Sequence, residues 1–286
     1  MTPVLGLVLL LVTTSLSLCV GAKASPSTDK PAVILVPGAF HRASVYDQVK
    51  TSLKKSGYRH VDAIDLPSVG PLASYVDRTP DIALVRTTLV ARLLQGKDVV
   101  LVGNSYGATV IGEAVRGLQS MCVTTANTPR GKILGLIMLS GFIPYIRDVS
   151  HPLSRTDIRT FAPPWFRFEG TSRVYWDAEP LSSPPSLTFY NLLAPAQAAY
   201  WSSKLAPSSF TALNATATYI PYMGDFRCLY VIGERDNCVP PALAQSYIDQ
   251  DGAVFETLVI DGDHLPMLSR PEKTVEIIRR FSGEAL

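Results

Sequence analysis

Histidine is scarce in this chain, and the shortage narrows the search for chemistry. Only four occur in 286 residues: His41, His60, His151 and His264. No His/Cys/Asp cluster has metal-ligand spacing, so the sequence implies no metal and no organic cofactor. Charge is also sparse, at 17%, while hydrophobic residues make up 47%. That balance excludes a disordered chain and supplies a large buried core. The formal net charge is +2, with no basic stripe, which argues against a nucleic-acid partner. Internal repeats are absent. Past the N-terminus no apolar run is long enough to span a bilayer. Cysteine is too rare for a disulfide framework. With Cys19 in an N-terminal leader, Cys122, Cys228 and Cys238 remain, an odd number. Cys228 and Cys238 flank an apolar strand that would hold them roughly 20 Å apart, too far for a bond. A pair involving Cys122 and three separate thiols both remain open.

The N-terminus is the first specific feature. Val4 to Val20 is almost unbroken Leu, Val, Thr and Ser, followed by small residues at Gly21, Ala22 and Ala24. This pattern reads as a secretory leader over residues 1–24, released to leave 25–286 without a stable membrane anchor. Asn214-Ala215-Thr216 is a glycosylation sequon, usable if the chain is secreted and the site exposed.

The mature chain alternates short apolar strands with helical segments. Ala32 to Val36 is a continuous apolar run, followed by Val45, Val49 and Leu53 at helical spacing and a stop at Gly57. His60 to Leu66 is a strand. Thr79-Pro80 predicts an N-cap and first helical position for a helix reaching about Gln95. Further buried strands are predicted at Asp98 to Gly103, Ile133 to Leu139, Leu229 to Ile232 and Val254 to Ile260. Helices are predicted at Ala108 to Leu118, Val239 to Tyr247 and Pro271 to Phe281. Apolar strands separated by helices imply an α/β protein whose mostly parallel sheet is covered on both faces. Ligands of such sheets bind at the carboxyl ends of the strands.

One stretch breaks this rhythm. Residues 141–222 hold fifteen of the 25 aromatic residues and ten of the 22 prolines. An insertion lying between two sheet strands would form a cap over the strand ends and line an apolar pocket. Phe142, Trp165 and Trp176 are its candidate lining residues.

Gly103-Asn104-Ser105-Tyr106-Gly107 is G-x-S-x-G between a predicted strand and a predicted helix. In that setting the serine sits on a sharp, strained turn at a helix N-terminus, and bare glycines flank it where side chains would collide. A serine hydroxyl needs a base. His264 follows the last strand, in Asp261-Gly262-Asp263-His264, and is the best placed. The third member is an acid that fixes the imidazole tautomer, and in this arrangement it lies between serine and histidine in the chain. Asp236, four residues after a strand, is chosen over Glu234 and Asp148, and Asp263 reads as a loop residue. The oxyanion amides would be those of Tyr106 and of Ala39 in Pro37-Gly38-Ala39-Phe40-His41. Phe40, His41 and Leu265 are further candidates for the pocket, with a structural role favoured for His41.

VILVPGAFH, VVLVGNSYG, LYVIGERDNCVP and DGDHLPMLSRP together resemble α/β-hydrolase-fold esterases of the methylesterase and hydroxynitrile lyase type, over about Pro31 to Phe281. The resemblance implies Ser105, Asp236 and His264 as triad and Ala39 and Tyr106 as oxyanion donors. Pro37 stands where that family often has His. Leu265 replaces the Lys that follows the histidine in hydroxynitrile lyases, which argues against cyanohydrin cleavage. Serine in place of Asp as nucleophile argues against epoxide or haloalkane chemistry. The expected reaction is hydrolysis of a carboxylic ester or lactone of an apolar small molecule. A weakly catalytic ligand-binding protein and a specialised-metabolite hydrolase or cyclase are the rival expectations.

Overall fold

A computed structural model describes residues 29–119, 131–154 and 156–286. The N-terminal apolar run and Cys122 lie outside the described residues. The chain opens with β1 (Ala32–Val36), α1 (Asp47–Lys55), β2 (Val61–Ala63), α2 (Thr79–Leu94), β3 (Val99–Asn104), α3 (Tyr106–Ala114) and β4 (Ile133–Leu139). It closes with β8 (Cys228–Gly233), α8 (Pro241–Ile248), β9 (Glu256–Ile260), α9 (Pro266–Ser269) and α10 (Pro271–Phe281). The stretch between β4 and β8 carries α4 (Ile146–Ser150), β5 (Arg167–Glu169), β6 (Arg173–Tyr175), α5 (Pro185–Thr188), α6 (Pro195–Ser202), β7 (Ser208–Ser209) and α7 (Phe210–Leu213).

Six strands form a parallel sheet in the order β2-β1-β3-β4-β8-β9. The continuous apolar runs explain the central position of β1, β3 and β8, each buried at every residue. Tyr46, Val49, Leu53, Val85, Leu89, Ile111, Ile278 and Phe281 cover the sheet from the helices. β5, β6 and β7 make a separate three-stranded antiparallel sheet. From β1 the chain steps one way to β2, then returns past β1 to β3. The carboxyl ends of β1 and β3 therefore diverge, and a crevice opens there.

Several sequence expectations need correction. The strand expected at His60 to Leu66 is only Val61–Ala63, because the chain turns away after the Ile64 amide bonds to the Leu35 carbonyl. The helix after the nucleophile turn starts at Tyr106 rather than Ala108, and ends before Gly117, whose φ of 73° breaks it. β9 is an edge strand and not a buried one: Val259 is 53% exposed, and Val254 leaves the sheet to bond to Tyr222. Thr79 is not the cap of α2. Arg78 occupies that position, and the Asp77 carboxylate accepts the Thr79 amide instead. Cys228 and Cys238 are free thiols. No described helix is long and apolar enough to cross a membrane.

A bulge sits in β4, where Val99 pairs with Ile133 but Val100 pairs with Gly135. Gly135 has φ 149°, and a Cβ there would lie 2.5 Å from the Arg227 carbonyl and 2.7 Å from the Phe281 ring. Gly135→Ala should therefore destabilise the fold by ~1–3 kcal/mol. Urea unfolding checks this, and an unchanged midpoint would refute the packing account.

Candidate active site

The turn after β3 presents Ser105 with φ 50° and ψ −126°, a strained conformation for a residue bearing a side chain. Neighbouring contacts hold it there. The Ser105 amide donates to the Leu139 carbonyl, and its own carbonyl accepts the amides of Ala108 and Phe142. The glycines permit close backbone approach. A Cβ on Gly103 would meet the Gly107 carbonyl at 2.5 Å, and one on Gly107 would meet the Val36 and Pro37 carbonyls at 2.5 Å. Gly38 lies equally close, since a Cβ there would be 2.7 Å from that of Ser105. The loop after β1 is thus pressed against the serine turn.

The loops after β8 and β9 bring Asp236 and His264 together. Nδ1 of His264 lies 2.9 Å from Oδ2 and 3.1 Å from Oδ1 of Asp236, and both side chains are buried. The Cys238 and Val239 amides donate to Oδ1 of Asp236 at 2.8 Å each. Burial opposes charging of the imidazole. The Asp236 carboxylate outweighs it and raises the His264 pKa well above the ordinary value. Glu234 is exposed and apart from this pair. Asp148 lines the cavity wall instead.

Asn104 links the two halves of the site. Its side-chain amide donates to the carbonyls of Leu139 and His264, at 3.0 and 2.9 Å. Asp263 is more than a loop residue: fully buried, it accepts from the Leu192 and Leu265 amides and the Ser269 hydroxyl. Adjacent side chains diverge, so Asp263 braces the loop while His264 faces the cavity.

That cavity measures about 510 Å³ and is lined by Ser105, His264, Ala39, Tyr106 and Cys238 among others. Phe40, Phe142 and Trp165 are in its wall. Three other pocket candidates are not. Leu265 is fully buried in the core. Trp176 packs behind the lining, its ring 5.8 Å from that of Phe40. His41 turns away, its Nδ1 donating to the Ala39 carbonyl at 2.7 Å while the Tyr190 hydroxyl donates to Nε2 at 2.8 Å. Burial holds the His41 pKa down at about 3, so this imidazole is neutral. Asn214 is half-buried, and its side-chain oxygen accepts the Ile158 amide.

Phe40 itself has φ 67°. Its amide donates to the Ser208 hydroxyl and its carbonyl accepts the Ala206 amide. The segment between β4 and β8 therefore holds the Ala39 loop in place. Tyr106, first residue of α3, has no acceptor one turn back for its amide. The Tyr106 hydroxyl donates to Asp81 at 2.7 Å, and the Arg78 guanidinium lies over its ring. Arg78 pairs with Glu113 at 2.8 Å. Sequence reasoning missed Arg78, Asp81 and Glu113, which look like ordinary helix residues and meet only in the folded chain. It also missed Cys238 and Phe189 as cavity lining.

Comparison with known proteins fits this geometry. The family model described as alpha/beta hydrolase matches residues 33–277. The chain belongs to the alpha/beta hydrolase family. Alpha/beta hydrolase nvfD of Aspergillus novofumigatus is 30% identical over 90% of this chain and 98% of its own length. Salicylic acid-binding protein 2 of Nicotiana tabacum is 28% identical over 84% of this chain and 92% of its own. The crystal structure of polyneuridine aldehyde esterase superposes with a TM-score of 0.70 at 19% identity, covering 89% of this chain and 100% of that one. The last likeness concerns the fold alone.

The two buried imidazoles should titrate in opposite senses. In 15N-resolved NMR, His264 should stay protonated to a pH above the ordinary histidine value. His41 should remain neutral, with its proton on Nδ1, across the physiological range. Protonation of His41 near neutrality would overturn the reading of its hydrogen bonds.

Proposed function

We propose that this alpha/beta hydrolase is a serine hydrolase that cleaves a carboxylic ester or lactone of an apolar small molecule. The observation that carries the reading is the buried Asp236–His264 pair opening on the same cavity as Ser105 on its strained turn. Esterase-like relatives support it.

In this reading the Nδ1–H of His264 is held by Asp236, which leaves Nε2 as the basic nitrogen. Nε2 takes the proton of Ser105 as Oγ attacks the substrate carbonyl. The carbonyl oxygen becomes an oxyanion received by the amides of Ala39 and Tyr106. Imidazolium then gives its proton to the departing alcohol oxygen, and an acyl-Ser105 remains. Water, deprotonated by Nε2, attacks that acyl group, and collapse of the second tetrahedral intermediate returns the serine and releases the acid. Phe40, Phe142 and Trp165 in the cavity wall lower the local dielectric, which strengthens each of these interactions. For the segment 1–24 we keep the reading of a secretory leader. N-terminal sequencing of secreted protein starting near Lys23 or Ser25 would support it, and retained Met1 would refute it.

A second reading is a binding protein of low turnover, favoured by the name of the tobacco relative. One experiment separates them. A fluorophosphonate probe should label the wild type and not Ser105→Ala, and the wild type should turn over short p-nitrophenyl esters. Labelling without turnover on any acyl substrate would favour binding. No labelling of folded protein would overturn the nucleophile assignment.

Asp236→Asn should lower kcat by roughly 10⁴-fold with the fold intact, because the amide stabilises the wrong imidazole tautomer. Glu234→Gln should be nearly silent. The reverse pattern would move the acid to Glu234. The acid limb of kcat/KM should also lie above the ordinary histidine pKa, since His264 must lose its proton to act as base and Asp236 opposes that loss.

A further inference from the structure

A buried tyrosine normally spends its hydroxyl on a neighbour. The hydroxyls of Tyr46, Tyr58, Tyr106, Tyr190, Tyr222 and Tyr230 all donate to a partner. Among the buried tyrosines of the described residues, Tyr247 alone has no bonded hydroxyl. Its side chain is 2% exposed and lines the cavity from α8. The oxygen is not sealed in the packing, as the Nε of Arg78 is. Its ring packs 6.2 Å from that of Phe142 and 5.1 Å from that of Tyr145, centre to centre. Burial, with Tyr145, Cys238 and Asp148 nearby, pushes the Tyr247 pKa up, so the phenol keeps its proton and acts as a donor. A buried donor without an acceptor is costly in an empty site and is satisfied when an oxygen enters.

We propose that Tyr247 is a specificity-determining residue whose hydroxyl donates to a neutral oxygen of the substrate, set apart from the ester at Ser105. Other polar groups of the wall are already engaged. The Thr109 hydroxyl donates to the Phe142 carbonyl, the Tyr106 hydroxyl to Asp81, and the Tyr145 hydroxyl pairs with Ser246. Each wall charge also has its opposite beside it. Arg78 pairs with Glu113 and His264 with Asp236, and Nε of Arg147 lies 3.7 Å from Oδ1 of Asp148. Arg147 and Thr156 are exposed and mark the rim. A carboxylate or an ammonium brought to Tyr247 would thus lose water without meeting a spare counter-charge. An ether, hydroxyl or carbonyl oxygen carries no net charge and accepts the phenol proton. The Phe142 amide donates to the Ser105 carbonyl, and its ring stands beside that of Tyr247. One aromatic ring therefore separates Tyr247 from the nucleophile turn, and the second oxygen belongs several atoms along the chain from the scissile group. This inference rests on the hydrolase reading above.

The test follows acid release from methyl octanoate and octyl acetate, each corrected with Ser105→Ala. Both are compared with ethers in which oxygen replaces the chain methylene at position 4, 5, 6 or 7. The two sets carry the ether on the acyl side and on the alcohol side. For at least one ether, kcat/KM relative to the plain ester should fall roughly 3- to 10-fold in Tyr247→Phe, which loses only the hydroxyl. Tyr145→Phe should keep the wild-type ratio, because the Tyr145 hydroxyl is already bonded to Ser246. If Tyr247→Phe changes the ratio for no ether, the hydroxyl serves a water or nothing, and the proposal is overturned. An equal fall in Tyr145→Phe would overturn it too. If no ester is turned over at all, the hydrolase reading fails. Calorimetric affinities of the same compounds for Ser105→Ala and for Ser105→Ala/Tyr247→Phe then decide the role of Tyr247 alone, by the same change in ratio.

Discussion

Everything in the site depends on how closely the backbone after β1 approaches the backbone around Ser105. The two strands are neighbours in the sheet, but their following loops leave in opposite directions, so a crevice opens where they part. Gly38, Gly103 and Gly107 let main chain meet main chain at distances where a Cβ would collide. The outcome is a serine on a strained turn with two backbone segments beside it that are available to an oxygen. The strain is sustained by hydrogen bonds with Ala108 in α3 and with Leu139 and Phe142 at the end of β4 and just beyond it. A single-residue disturbance would have to break several of these together, which is how a strained geometry persists in a marginally stable protein.

The buried charges follow the same economy. Asp236 is compensated by His264 and by two backbone amides, Asp263 by two amides and a hydroxyl, and Arg78 by Glu113 and two carbonyls. Each ties loops that follow different strands. Asp236 joins the β8 and β9 loops. Asp263 joins the β9 loop to Leu192. Arg78 and Glu113 join the start of α2 to α3 and to residues 212–218. Apolar packing alone holds these elements against the sheet without fixing their register. Directional bonds to buried charges supply the register, and removing either member of such a pair would leave the other charge uncompensated.

The sheet was largely legible because its signal is local. Ile133–Leu139 and Pro271–Phe281 lie where their apolar patterns put them, and Ser105, Asp236 and His264 could be chosen because each follows a strand. What stayed hidden depends on orientation. His41 and Leu265 adjoin residues that line the cavity, yet point elsewhere, and periodicity does not determine direction within a loop. Trp176 belongs to an aromatic cluster in which Phe40 touches four rings, and composition alone does not say which ring faces inward. The edge position of β9 was obscured by Leu258, Val259 and Ile260, which read as a buried strand although Val259 faces solvent. The pairing of Arg78 with Glu113 spans 35 positions and leaves no local pattern.

The segment between β4 and β8 does more than enclose a volume. It supplies Trp165, Phe166 and Phe189 to the cavity, and it also grips the loop that bears Ala39. Phe40 is bonded through its amide to Ser208 and through its carbonyl to Ala206, while Tyr190 orients the neutral His41 that in turn bonds to the Ala39 carbonyl. Wall and backbone donor are therefore one mechanical unit. In the proposed mechanism, a substrate that displaces the aromatic wall would also displace the Ala39 amide, whose alignment matters most when charge develops on the carbonyl oxygen. Poorly fitting substrates would then lose rate as well as affinity, because part of the binding energy is expressed only when the wall and the loop are both in place. Under the proposed mechanism, selectivity would then be exercised in the transition state, through the loop that bears the Ala39 amide.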